Sequence, residues 1–103
     1  MIARMWRSAT AKQDAHDYIR YLQQTGLKGY RETSGNRGAW IFWREDEERA
    51  EFLTVSLWES EDAIARFAGD DIGRAVFYPE DDRYLVDRET TVSHFLVVSA
   101  DDP

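Results

Sequence analysis

The sequence predicts a single α+β domain with the element order β-α-β-β-α-β. Three observations lead there. Strand-like runs occur at residues 2–8, 39–44, 51–58 and 90–99, and helical stripes fall between them. The 103 residues allow one domain and no more. A chain that is 43 % hydrophobic, with 4 Trp, 5 Tyr and 5 Phe, has ample material for a packed core.

The elements follow in order. In strand 1, Ile2, Arg4 and Trp6 share one face, and Ala3, Met5 and Arg7 the other. Thr10-Ala11-Lys12-Gln13 has the form of a capping box and predicts a helix start. Ala15, Tyr18, Ile19 and Leu22 then make one helical stripe, and Gly26 suits the position just past its end. Tyr30 opens a short segment, 30–33, that reads as extended. Ser34-Gly35-Asn36-Arg37-Gly38 is turn chemistry. Strand 2 is dense in aromatics. Strand 3 puts Leu53, Val55 and Leu57 on one face and Phe52, Thr54, Ser56 and Trp58 on the other. Ser60, followed by Glu61 and Asp62, is a good N-cap for a helix carrying Ile64, Phe67 and Ala68. A second short helix is expected around Ile72, Ala75 and Val76, stopped by Pro79. Residues 80–85 read as a turn or one more helical turn. The order is the split β-α-β of the ferredoxin-like fold, with a four-stranded antiparallel sheet. The domain is expected over residues 1–99, with an acidic tail at 100–103.

Charge and composition exclude several function classes. Thirteen Lys and Arg against 20 Asp and Glu give a net charge of −7, which repels a phosphate backbone, so no nucleic-acid partner is expected. The absence of cysteine removes disulfides, thiolate nucleophiles and cysteine-ligated metal centres. No apolar stretch reaches the length of a membrane span or a signal peptide. A cytoplasmic protein with no membrane partner is the expectation.

Both faces of the sheet carry bulk. Strand 2 sets Trp40 and Phe42 against Ile41 and Trp43, and strand 4 sets Phe95 and Val97 against Val92, Leu96 and Val98. Two helices cover one face only. A second copy of the sheet is the economical cover for the other, so a homodimer is expected.

The run Phe52-Leu53-Thr54-Val55-Ser56-Leu57-Trp58-Glu59-Ser60 feeds a helix with Ala63, Phe67, Ala68 and Gly69. Ala75, Tyr78-Pro79-Glu80-Asp81, Leu85 and Thr91-Val92-Ser93-His94-Phe95 follow. This pattern resembles the antibiotic-biosynthesis-monooxygenase domains. The resemblance implies a dimeric α/β barrel with a pocket between sheet and helices in each unit. It implies a monooxygenase of small aromatic or quinone-type compounds that needs no cofactor. It implies equally a non-catalytic ligand-binding or structural dimer, because the scaffold hosts both. The haem-degrading branch relies on an Asn in strand 1, a Trp in the second helix and a His near that helix's end. Here those positions hold Trp6 or Arg7, Phe67, and Phe77 or a neighbour. Haem degradation, and with it any cofactor, is not expected.

A cofactor-free oxygenase needs a base, a group that holds an anion, and an aromatic-lined pocket. His94 is the candidate base, because imidazole titrates near neutral pH; the competing reading is a satisfied core histidine. Arg4 is the candidate anion holder; the competing reading is an ion pair with one of the many carboxylates. Trp6, Tyr18, Trp58, Phe67 and Tyr78 are the candidate ligand-lining residues, each of which packing alone would also explain. His16 lies on the polar side of helix 1. Two histidines so far apart, and acidic runs that read as turns and caps, give no metal site.

Overall fold

The computed structural model describes residues 1–98; Ser99 and the acidic tail at 100–103 lie outside the described residues. The fold is the expected α+β ferredoxin-like one. Strand β1 (Ile2–Ala11) leads through a 3-10 turn (Lys12–Asp14) into α1 (Ala15–Gln24) and α2 (Gly26–Glu32). The hairpin β2 (Asn36–Glu45) and β3 (Arg49–Trp58) follows, then α3 (Glu61–Ala68), α4 (Asp81–Tyr84), β4 (Leu85–Arg88) and β5 (Ser93–Leu96). The sheet order is β2-β3-β1-β4, with β5 also on β1.

The sheet therefore has five strands where four were expected. Strands β4 and β5 lie in line along one edge of β1. The first pairs with Ser8–Thr10 and the second with Ile2–Met5. A bulge between Ala9 and Thr10 shifts the register within the first pairing, so that Thr10 meets Leu85. Between the two strands, Glu89 N donates to Arg7 O at 3.0 Å, so the edge stays stitched.

Four local expectations fail because tertiary partners win. The capping box does not form: β1 runs on to Ala11, and Thr10 Oγ1 donates to Ala11 O at 2.9 Å. No helix forms around Ile72 and Ala75. Ala75 N donates to Thr90 O at 3.0 Å and Val92 N to Gly73 O at 2.9 Å, so those backbone groups are spent on the β4–β5 link. Residues 30–33, read as extended, instead close helix α2. Tyr30 is buried there against Trp58 and Phe67, and two helix glycines let the segment lie close to its cover. A Cβ at Gly29 would stand 2.9 Å from the Tyr78 hydroxyl and 3.0 Å from Phe67. The Gly26 prediction gives way likewise: Thr25 breaks the axis and Gly26 begins α2.

Other local signals hold. Ser60 Oγ accepts from Ala63 N at 3.1 Å, as an N-cap should. Gly35 takes positive φ in the turn before β2, and Gly38 does so at the irregularity near the start of β2. The α1 stripe buries Ala15, Tyr18 and Leu22.

The helices cover one face of the sheet. Register places Ile2, Arg4, Trp6 and Ser8 of β1 beside Trp58, Ser56, Thr54 and Phe52 of β3 on that face. Two apolar clusters form beneath the helices. Tyr18, Leu22 and Phe52 anchor one, and Tyr30, Trp58 and Ile64 the other. The opposite face carries Trp40, Phe42 and Phe95, all exposed, Phe42 at 54 %.

Candidate functional site

Alternation along β1 turns Arg4 inward, where its side chain is only 2 % exposed. Its charge meets no carboxylate: among the described residues no ion pair includes it. The guanidinium instead donates to neutral acceptors. Nη2 reaches Arg74 O at 3.0 Å, and Nη1 reaches both Ile72 O and His94 Nε2, the latter at 3.2 Å. Burial lowers the Arg4 pKa, and the nearby Tyr30 hydroxyl opposes that. Among the described residues, the sequence alternative of an Arg4–carboxylate pair does not form.

His94 stands opposite Arg4 because β5 pairs antiparallel with β1 in that register. Burial and the Arg4 charge both hold its pKa below 6.5, against a weaker pull from Glu61. The imidazole is neutral at pH 7. Tyr30 joins from α2, its hydroxyl pushed up to about 12 by burial despite the cation beside it. Phe67 packs on Tyr30 with ring centroids 4.6 Å apart. Tyr78 lies along the Gly26 and Gly29 side of α2. The structure thus brings Arg4, His94, Phe67 and Tyr78 to one region, and adds Tyr30. Tyr30 is not among the sequence candidates, because its segment reads as extended.

Of the other candidates, Trp58 packs on Tyr30 and Phe67 in this region, while Trp6 and Tyr18 sit apart. Trp58 is fully buried, its indole N–H donating to Ser56 Oγ at 2.8 Å, which is a packing role. Trp6 donates to Glu89 O at 2.7 Å and meets Phe77 edge-on at 5.9 Å. Tyr18 donates to Asp81 Oδ1 at 3.3 Å, and Asp81 Oδ2 accepts from Tyr78 N at 2.6 Å. Burial raises the Asp81 pKa, while those two donors partly offset it. Asp81 is a second residue the sequence did not single out. Its signal was weak, one acid within an acidic run at a helix start.

Two cavities stand out at the surface of the described residues. The larger, about 380 Å³, lies on the uncovered face around Arg7, Phe42, Arg44, Glu51 and Leu53. The smaller, about 120 Å³, lies at the β1–β4 edge around Ser8, Arg49 and Asp87. Neither is lined by Arg4 or His94. The irregular residues 69–80 close over Arg4 and supply the carbonyls that hold it.

No protein-family model matches the sequence, and none of the curated proteins matches it. Solved structures do match in fold. A Bacillus cereus protein assigned as an antibiotic biosynthesis monooxygenase superposes with a TM-score of 0.69 at 10 % identity, over 99 % of this chain and 97 % of its own. A variant of MhuD with two manganese protoporphyrin IX molecules bound per active site gives 0.60 at 14 %, over the whole of both chains. An uncharacterised NIPSNAP-domain protein from Burkholderia xenovorans gives 0.58 at 20 %, over 100 % of this chain and 99 % of its own. The chain has the fold of the antibiotic-biosynthesis-monooxygenase domains.

A porphyrin of the MhuD kind does not fit the residues present. His94 turns Nε2 to Arg4, and His16 packs edge-on to Trp43 at 5.5 Å. The rings of Tyr30, Trp58 and Phe67 fill the space between sheet and helices, with centroids 4.6 to 6.0 Å apart.

Proposed function

We propose that this chain forms a cytoplasmic homodimer that oxidises a small aromatic or quinone-type compound with molecular oxygen, without a cofactor. The observation that carries this reading is Arg4: a buried cation with no carboxylate partner among the described residues, beside a neutral imidazole and two tyrosines. A buried charge without a counter-ion is costly, so a site that keeps one is suited to an anion. Arg4 would hold the oxyanion of a deprotonated phenol, and His94 would take the proton from an activated ring methylene. Oxygen then converts that CH2 to C=O and leaves as one molecule of water, so the atoms balance. Phe67, Tyr30 and Tyr78 would flank the ring. Residues 69–80 would open to admit it and close to exclude water. The fold neighbour assigned as a monooxygenase supports the same reading.

Oxygen uptake with an anthrone-type substrate is the test. The purified protein is expected to turn it over, and His94→Ala or Arg4→Gln to lower the rate about 100-fold or more. Inertness of the folded wild type across a panel of hydroquinones and anthrones would reject catalysis. A second reading, a non-catalytic ligand-binding or structural dimer, is favoured by one observation: neither cavity reaches Arg4 or His94.

A further inference from the structure

We propose that Arg4 gates His94: in the free protein the guanidinium caps the imidazole's acceptor nitrogen, and the oxyanion of a bound aromatic ligand draws it away. This rests on the reading of Arg4 and His94 as the site and adds a requirement, that the ligand be an anionic ring.

The geometry fixes the starting state. A guanidinium in a protein has only N–H donors and does not lose its charge. The 3.2 Å contact from Arg4 Nη1 therefore makes His94 Nε2 the acceptor. A neutral imidazole has one lone pair, so the proton sits on Nδ1. With its lone pair engaged, His94 has nothing left to accept a second proton. As it stands, the candidate base is blocked by its neighbour.

The same geometry shows what unblocks it. Among the described residues, every acceptor on the Arg4 terminal nitrogens is uncharged: the carbonyls of Ile72 and Arg74 and the imidazole itself. A carboxylate or phenolate makes a charge-assisted contact with a guanidinium that is roughly twice as strong as a neutral one, and a carboxylate can make it two-pointed. An anionic ring therefore competes well for Arg4, while an uncharged one does not. Once Arg4 turns to the oxyanion, Nε2 is free to take a proton from the ligand's activated C–H, leaving the electron pair on the ring. Two further groups face this pair: Glu61 from α3 favours the imidazolium, and Tyr30 from α2 lies against Arg4. Arg4 thus acts as a positioning residue for the base as well as the anion holder.

The experiment reads His94 by nitrogen-resolved NMR of the imidazole across pH, on the intact chain. Benzoate is the anionic probe and benzamide its uncharged counterpart. The free protein is expected to show the Nδ1–H form alone and to titrate below 6.5. Saturating benzoate should raise that midpoint by about 1 pH unit and abolish the preference for one tautomer; benzamide should do neither. Folded Arg4→Met should show the raised midpoint without any ligand and no response to benzoate. An Nε2–H tautomer in the free protein overturns the gate, as does a His94 signal indifferent to benzoate. Both are read on the unaltered chain, so a misfolded variant does not decide the matter. The readout needs no turnover: a benzoate response without oxygen uptake keeps the gate and discards the monooxygenase.

Discussion

Arg4 and Asp81 are opposite charges that the chain buries in different ways. Arg4 is held by carbonyls and an imidazole, whereas Asp81 accepts from a tyrosine hydroxyl and a backbone N–H. Neither has an ion-pair partner of its own among the described residues, so each is held by donors or acceptors that must stay in place. For Asp81 the consequence can be measured. Replacing it with Ala leaves Tyr18 and Tyr78 N unsatisfied and is expected to cost about 1–3 kcal/mol. Asp81→Asn keeps an acceptor for Tyr78 N, and its amide can donate to the Tyr18 hydroxyl. The pH dependence has a definite sign. Burial raises the folded pKa of Asp81 above its usual 3.8, so folding favours the protonated form. That contribution is present below 3.8 and is lost as pH rises through the folded value. Thermal melts from pH 3 to pH 7 should therefore show the wild type losing stability relative to Asp81→Asn. A wild type that gains on the variant over that range would contradict the burial account.

Whole elements differ in how openly the sequence declared them. Strand β3 was legible because its two faces differ in residue type, and α3 because Ser60 caps it. Helix α2 was not. Its two glycines disfavour a helix, and only the packing of Tyr30, Phe67 and Tyr78 explains why one forms. The split fourth strand was half legible. Thr90 onwards was read as extended, but Leu85–Arg88 was hidden behind a helical turn and a charged pair. The candidate site was legible as far as Arg4 and His94, since their residue types are unusual on strands. Their contact was not, because it depends on the register of β5 against β1. The turn into β2 offers an element-scale test. Gly35 has φ of 95°, and a Cβ there would collide with Ala63 of α3. Gly35→Ala should destabilise the fold by about 3 kcal/mol, combining backbone strain with overpacking. That corresponds to a Tm loss on the order of 15 °C. A melt within about 2 °C of the wild type would mean that the turn and α3 are not so tightly apposed.

For the molecule as a whole, the apolar face opposite the helices decides assembly. Trp40, Phe42 and Phe95 form an exposed patch that one copy of the chain leaves bare. Sedimentation at micromolar concentration is expected to give twice the mass of a single chain. Phe42→Asp places a charge in that patch and should return the monomer mass with the far-ultraviolet circular dichroism unchanged. A wild type that sediments as one chain would remove the homodimer, and with it the cover proposed for this face.

The division of the fourth strand bears on how long His94 stays where it is. Strand β5 is four residues long and holds to β1 along one edge, while β3 is ten residues long and has a neighbour on each side. Short rim segments detach first, so backbone deuterium uptake should be rapid at residues 93–96 and slow across β3. The imidazole would then be carried by a hinged flap whose peeling, rather than any helix motion, sets the rate at which the interior is wetted.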